Sequence, residues 1–399
     1  MTKEQALLLE LLAHNITGAD ISGDTENIDW ISLIKESVAQ TVSVVAFDSV
    51  TPIKDKIPDD IYKKWLNHSC SAIAVNSFVE KSQKELIEHL SKDGYDYLIL
   101  KGLSAASYYN KPELRLLGDV DFLINPKEKE NIKALLENKG YTASHEDHIC
   151  HIVFNKPKAH LEMHFEIAGM PKNEKAEVVR AFMNNALAAT RTVNFGENCF
   201  NAPSNKHHAV ILLLHMQHHL LGEGIGLRHL MDWACFVHKT AEEPFWKEEL
   251  IPFLKEVGLW FFANSMTDLC VRYLKLTAPD WLVTAKDDIA ESVIEDILSG
   301  GNFGKKEKLR DGLAMGMAKN KKGRLKSAFH TLKFSTPDVY PVVKKYKILY
   351  PFIYFYRILR YAFLVLIGKR VSLTKSLPYA EERHNLYNKL HIYEVTEDE

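Results

Sequence analysis

Apolar residues recur at three- and four-residue spacing through EQALLLELLAHNI, residues 4–16, as they do on a helix with one buried face. The helical pattern persists to about Lys92, and Asp59 to Ser91 contains neither Gly nor Pro, which predicts one long helix or a broken pair. The texture then changes. YDYLILK, 95–101, is a short apolar run ended by Gly102; it predicts a buried strand and then a short helix over Ser104 to Tyr109. Val120 to Ile124 predicts a second strand, stopped by Asn125-Pro126, and Pro126 opens a charged helix closed by Gly140 at its C-terminal cap. His148 to Phe154 and His160 to Ile167 predict two further strands, joined by the turn Asn155-Lys156-Pro157-Lys158. After Pro203 the pattern is helical again: KHHAVILLLHMQHHLL, a loop GEGIG at 222–226, then LRHLMDWACFVHK.

These elements predict an α+β chain in four parts: a helical region 1–93, a strand-containing core 94–202, a helical lobe 203–300, and a basic connection with aromatic helices over 301–399. A hydrophobic fraction of 46% with 26% charged residues excludes a disordered chain, and 399 residues suffice for two or three domains. Five scattered cysteines without a CxxC pair, and an N-terminus lacking the features of a signal peptide, predict reduced thiols and a cytoplasmic location.

The net charge of −2 gives no global reason for a nucleic-acid partner, which is possible but not favoured. It conceals an asymmetry, however. Lys305 to Lys375 holds eighteen Lys/Arg against three acids, a segment suited to an anionic partner such as a nucleoside triphosphate, RNA or anionic lipid; the simpler reading is a solvated, flexible connection over 300–327 with helix faces. ILYPFIYFYRILRYAFLVLI, 348–367, is apolar throughout, but Arg357 and Arg360 in its middle argue against a transmembrane span. A buried helix hairpin is the favoured expectation and peripheral membrane contact the alternative.

The sharpest chemical feature is LLGDVDFLI, 116–124. On a strand, Asp119 and Asp121 share a face, where two carboxylates repel each other unless a divalent cation such as Mg²⁺ or Mn²⁺ joins them. HLEMHFEI, 160–167, alternates strictly, with Leu161, Met163, Phe165 and Ile167 on one face and His160, Glu162, His164 and Glu166 on the other. A polar solvent-facing strand would read the same way. Were it to lie beside 119–124, Glu162 would become the third acid of a metal site able to serve phosphoryl or nucleotidyl transfer.

LKGLS at 100–104, LRLLGDVDFL at 114–123 and LEMHF at 161–165, followed by HxxxH and GLR…DW within 215–233, resemble an uncharacterised bacterial nucleotidyltransferase family of the polymerase-beta superfamily. The resemblance covers about 95–235. It implies a polymerase-beta-like core of mixed sheet and flanking helices, with a nucleoside triphosphate as substrate and an unidentified acceptor (a small molecule, tRNA or a protein). Asp119, Asp121 and Glu162 would then be catalytic metal ligands, with Lys101, Gly102, Ser104, Arg115 and Gly118 near the nucleotide phosphates. The superfamily's Gly-Ser or Gly-Gly phosphate-binding step is replaced here by Lys101-Gly102-Leu103-Ser104, which alters the phosphate grip. His164, His215, His219, Arg228 and Asp232 are candidates for substrate contact.

His215, His218 and His219 share a helix face and, with His207 and His208 nearby, make zinc conceivable; a packed, hydrogen-bonded helix face is the simpler expectation. Arg228 and Asp232 sit one turn apart, suited equally to an ion pair or to substrate. GEGIG follows a helix and not a strand, so a dinucleotide loop is excluded by context. Two other functions stay open: a non-catalytic nucleotide- or metal-binding module, and a DxD-type nucleotide-sugar glycosyltransferase, against which the helical residues 1–92 count.

Overall fold

The computed structural model describes residues 1–304, apart from 24, 147, 172, 173 and 285, together with 306, 336, 340, 342–367 and 373–392. Most of the expected basic connection over 300–327, and the acidic tail TEDE, lie outside the described residues.

A mixed five-stranded sheet forms the centre of 94–202, in spatial order β1 (Tyr97–Ile99), β2 (Val120–Ile124), β5 (Ala159–His164), β4 (His151–Lys156) and β3 (Thr142–Ser144). β2 and β5 are parallel, and the other neighbours are antiparallel. Val120, Phe122, Leu161 and Met163 point to one face, where they pack with Leu86 and Leu90 of α4 (Asp59–Lys92) and Ile132 and Leu136 of α6 (Lys129–Asn138). Leu98 and Leu123 point to the other face and join a larger core built by the helical parts of the chain. Residues alternating with the first set on β2 and β5 therefore face that helical core, and they include Asp121, Glu162 and His164.

The helical core draws on both ends of the described chain. α1 (Lys3–Thr17) packs on α2 (Trp30–Ala39) and α3 (Ser43–Asp48), and also on α9 (Leu227–Thr240) and, beyond the short α10 (Ile251–Glu256), on α11 (Trp260–Leu274). α1 is closed by Gly18 at φ +72 and opened by a capping box at Thr2 and Gln5. α8 (Asn205–Leu221) is almost entirely buried, consistent with its apolar run, and lies against α9.

Several local expectations shift. Asp59–Lys92 is one unbroken helix. The helix expected over 104–109 is a single turn, α5 (Leu103–Ala106), and the one expected from Pro126 begins with a 3₁₀ turn before α6. β4 starts later than expected and runs through Lys156, placing the tight turn at Pro157-Lys158, where Lys158 has φ +64. β5 ends at His164 because the amides of Phe165 and Glu166 both turn to the Cys150 carbonyl. β3, α7 (Lys175–Asn184) and the hairpin β6 (Thr190–Phe195) with β7 (Asn198–Pro203) have no counterpart in the sequence reading.

The aromatic stretch departs most. α13 (Tyr350–Leu366) has no buried residue, so the favoured buried hairpin does not form. A hairpin needs a second apolar helix opposite the first. The next helix, α14 (Leu373–Lys389), is polar and packs instead on α12 (Asp287–Gly300), where Arg383 pairs with Asp296, and on the end of α8, where the Tyr387 hydroxyl donates to the Leu220 carbonyl at 2.8 Å.

Candidate active site

The parallel register of β2 and β5 sets Asp121 beside Glu162 and Leu123 beside His164. The solvent-facing reading of the 160–167 alternation fails for its centre: Glu162 and His164 are turned toward a cleft facing α8 and α9, while His160 stays exposed. That cleft is a cavity of about 240 Å³. Lys101, Asp119, Asp121 and Glu162 line one side, and His215, His219, Arg228, His229 and Asp232 line the other. Glu166, on the expected polar face, leaves it when the strand ends and accepts from Arg180 at 2.8–3.0 Å.

Asp121 is 3% exposed, yet it is amply compensated. Its Oδ1 lies 2.7 Å from Lys101 Nζ and 3.0 Å from His164 Nε2. Burial alone would push its carboxyl up, but the Lys101 ammonium and the His164 hydrogen bond hold it well below the usual carboxylate range. Asp119 moves the other way: the negative charge of Asp121, then burial, raise it. Glu162 lies 3.5 Å from His164 Nε2; burial pushes its carboxyl up, but the hydrogen bond to that ring together with the charges of Lys101 and His164 lowers it. His164 is raised, the carboxylates of Asp121 and Glu162 prevailing over desolvation.

The donor set fits a hard divalent cation. Asp119, Glu162 and His160 offer ligand atoms all within 4.8 Å of one another, and Lys101 already stands at Asp121 as a cation would. At φ +59 and ψ −115, a backbone conformation that favours glycine, Gly102 turns the chain between Lys101 and α5 beside the Asp119 carbonyl. Gly118 also lines the cavity, whereas Ser104 is fully buried and is absent from its lining.

Arg115, expected near phosphates, lines the same cavity, but its guanidinium is bonded within the protein. Its guanidinium, 6% exposed, forms a two-pronged pair with Asp232, Nε to Oδ1 and Nη2 to Oδ2, both at 2.7 Å. The Tyr109 hydroxyl adds a third donor to Asp232 at 2.8 Å. The i, i+4 pair between Arg228 and Asp232 is therefore not made, because both Asp232 oxygens are already bonded. Arg228 Nε is buried without a hydrogen-bond partner, and its guanidinium sits 5.4 Å from the Phe303 ring centroid. Burial, then the charge of Arg115, lower its pKa.

The histidines split into two groups. His207 is a packed, bonded residue, its ring between Ser204 Oγ at 2.8 Å and the Phe182 carbonyl at 3.2 Å. His208 is fully buried with neither ring nitrogen hydrogen-bonded, so a hydrogen-bonded helix face is only partly realised. His215 and His219 instead meet His229 at the cavity, their ligand atoms within 4.8 Å of one another. Burial holds all three imidazoles down, His219 to about 3. His229, His160 and Phe303 escaped the sequence reading as site residues. His160 carried a usable signal, sharing a strand face with Glu162; His229 and Phe303 carried none.

The model of a family described as uncharacterised nucleotidyltransferase matches residues 26–275. The chain belongs to this family. Membership implies a transferase that acts on a nucleotide and moves a nucleoside monophosphate, in general terms, and nucleotidyltransferases generally use divalent metals. The matched span contains every cavity-lining residue named above except Phe303. No curated protein and no solved structure gives a significant match.

Proposed function

We propose that this nucleotidyltransferase moves a nucleoside monophosphate from a nucleoside triphosphate to a hydroxyl or phosphate oxygen of an acceptor, with Mg²⁺ or Mn²⁺, on a polymerase-beta-like core. The observation carrying this reading is the Asp121–Glu162 register, which gathers three carboxylates at the floor of one cavity. Asp119, Asp121 and Glu162 would hold the metal, which when bound neutralises phosphate charge and acidifies the attacking oxygen.

The chain's own residues do the rest. The acceptor oxygen forms a bond to the α-phosphorus, the bond from that phosphorus to the bridging oxygen breaks, and pyrophosphate leaves. Glu162, less enclosed than Asp121, takes the proton of an acceptor hydroxyl. His164 holds Asp121 and Glu162 in place through one Nε2–H. Lys101 keeps Asp121 ionised and has His215 Nδ1 at 3.5 Å as a second resting point when a stronger cation claims the carboxylate.

The test is a panel of the four nucleoside triphosphates, labelled at the α-phosphate, with Mg²⁺ and a mixed acceptor extract, run on wild type and Asp119→Asn. Label transfer lost in the variant supports the reading. Mg²⁺-dependent binding of one nucleotide without transfer to any acceptor would reduce it to the binding-module alternative, and no binding of any nucleotide would overturn it.

A further inference from the structure

We infer that the first turn of α9 is an oxyanion subsite that grips a phosphoryl group through Arg228 and His229. Its place in catalysis rests on the nucleotidyl-transfer reading, but its ability to bind an anion does not.

The tautomers decide what this wall of the cavity offers. The Gly226 amide donates to His229 Nδ1 at 3.3 Å, so the neutral ring carries its proton on Nε2. That Nε2 belongs to a residue only 3% exposed, lines the cavity side and has no acceptor. Arg228 Nε, on the preceding residue, is a second buried donor without one. Burying a donor without an acceptor is costly, so two adjacent ones at one cavity point to a ligand that accepts from both. His215 agrees: the Lys101 ammonium faces its Nδ1, leaving Nε2–H as the free donor.

The surroundings suit an anion. The N-terminus of the fourteen-residue α9 brings its positive dipole end to the same place. Asp232, the nearest carboxylate on α9, is neutralised by Arg115, so it does not compete for Arg228. The turn Asn302–Gly304 lies directly over the site. A Cβ on Gly226 would come within 2.7 Å of Asn302 Cα, and Phe303, held at φ +56, covers the rings of His219 and His229 and the Arg228 guanidinium. A non-glycine residue kept in this conformation is strained, as residues at ligand-gripping sites often are.

The three histidines could instead be read as a transition-metal site. The proton on His229 Nε2 and the adjacent Arg228 cation both oppose that, since a metal needs a free lone pair and low positive charge.

The phosphoryl group could belong to the triphosphate or to a phosphorylated acceptor, and calorimetry separates the two. Inorganic pyrophosphate is titrated in EDTA into wild type, Arg228→Gln, His229→Leu and Asp119→Asn, with thermal melts to check folding. We expect metal-free binding that weakens by at least ~10-fold in Arg228→Gln, whose melt stays near wild type, and that survives Asp119→Asn. Competition between pyrophosphate and Mg²⁺–nucleotide assigns the subsite to the triphosphate; simultaneous binding assigns it to the acceptor. Absent binding, or equal binding by Arg228→Gln, overturns the subsite while leaving nucleotide transfer intact. Anion binding without any nucleotide turnover leaves the subsite standing and removes the enzymatic reading. Stoichiometric Zn²⁺ on the purified protein that blocks pyrophosphate and is lost in His215→Ala also overturns it.

A separate observation concerns α13. We propose that it docks on an anionic lipid surface. Phe352, Phe363 and Leu366 are 70%, 59% and 84% exposed, and the segment 347–366 is long and apolar enough to cross a membrane. Arg357 and Arg360 hydrogen-bond Thr336 and Tyr340, keeping two cations at mid-helix, which favours lying at the interface over spanning. The segment 342–367, which contains the helix, carries five Lys/Arg and no acid, and this supplies the complementarity to anionic headgroups. In flotation of the full chain, phosphatidylcholine vesicles containing phosphatidylglycerol should carry the protein in a salt-sensitive manner, and Phe352→Ser/Phe363→Ser should weaken this by ~10-fold. Equal partition to pure phosphatidylcholine, alkaline-resistant insertion, or no flotation would each overturn the proposal.

Discussion

Asp121 and Glu162 face each other across the parallel pair β2–β5, and His164, two residues on from Glu162, places one Nε2 between them at 3.0 and 3.5 Å. This places His164 in control of two carboxylates at once. His164→Gln, which retains a donor for only one of them, should weaken Mn²⁺ affinity by about 10–100-fold while leaving the melting temperature near wild type. Isothermal titration with Mn²⁺ checks this.

Asp119 is the carboxylate least committed to protein partners, so it gives the cleanest activity probe. Asp119→Asn should lower Mg²⁺-dependent nucleotide turnover by about 10²–10³-fold. The variant should fold normally, because the charge removed is one that Asp121 destabilises. Turnover and circular dichroism on the same preparation measure both.

The Arg115–Asp232 pair is structural in the first instance. Asp232→Asn leaves a buried guanidinium without its counter-charge and should cost about 3–5 kcal/mol, whereas Arg115→Met/Asp232→Leu together should cost less than either single change. Denaturant unfolding of the double-mutant cycle reads the coupling.

Acid should destabilise the fold before its carboxylates titrate. His207 is pushed down to about 4 by burial, below the 6.5 of an exposed imidazole, so the unfolded chain binds the extra proton between those values. Stability therefore rises with pH from about 4 to 6.5 and is flat above, by up to ~1.4 kcal/mol per pH unit for each such histidine. His207→Gln should flatten the slope of melting temperature against pH within that window.

Gly169 has φ +85, and a Cβ there would meet the Leu214 carbonyl at 2.4 Å, so the chain leaving β5 touches α8 through its backbone. Gly169→Ala should destabilise by about 2–3 kcal/mol, measured by chemical denaturation.

Alternation and helical spacing are local properties, and they made much of this protein readable in advance. The strand entered at Asp119 that bears Asp121, the strand that bears Glu162, the long helix 59–92 and the helical character of 205–240 all follow from which positions are apolar. The acids were visible because two carboxylates on one strand face are unusual without a cation.

Pairing, by contrast, is not local. That β2 lies parallel to β5, turning a polar strand face into a cavity wall, depends on long-range packing of both sheet faces. The same holds for Arg115, whose sequence context does not show that Asp232 of a distant helix holds its Nε and Nη2 at the cavity wall. His229 and Phe303 enter the site only because α9 and the turn after α12 converge there. The exposure of α13 is likewise a tertiary outcome, since an apolar run states what a helix could bury against and not whether a partner arrives.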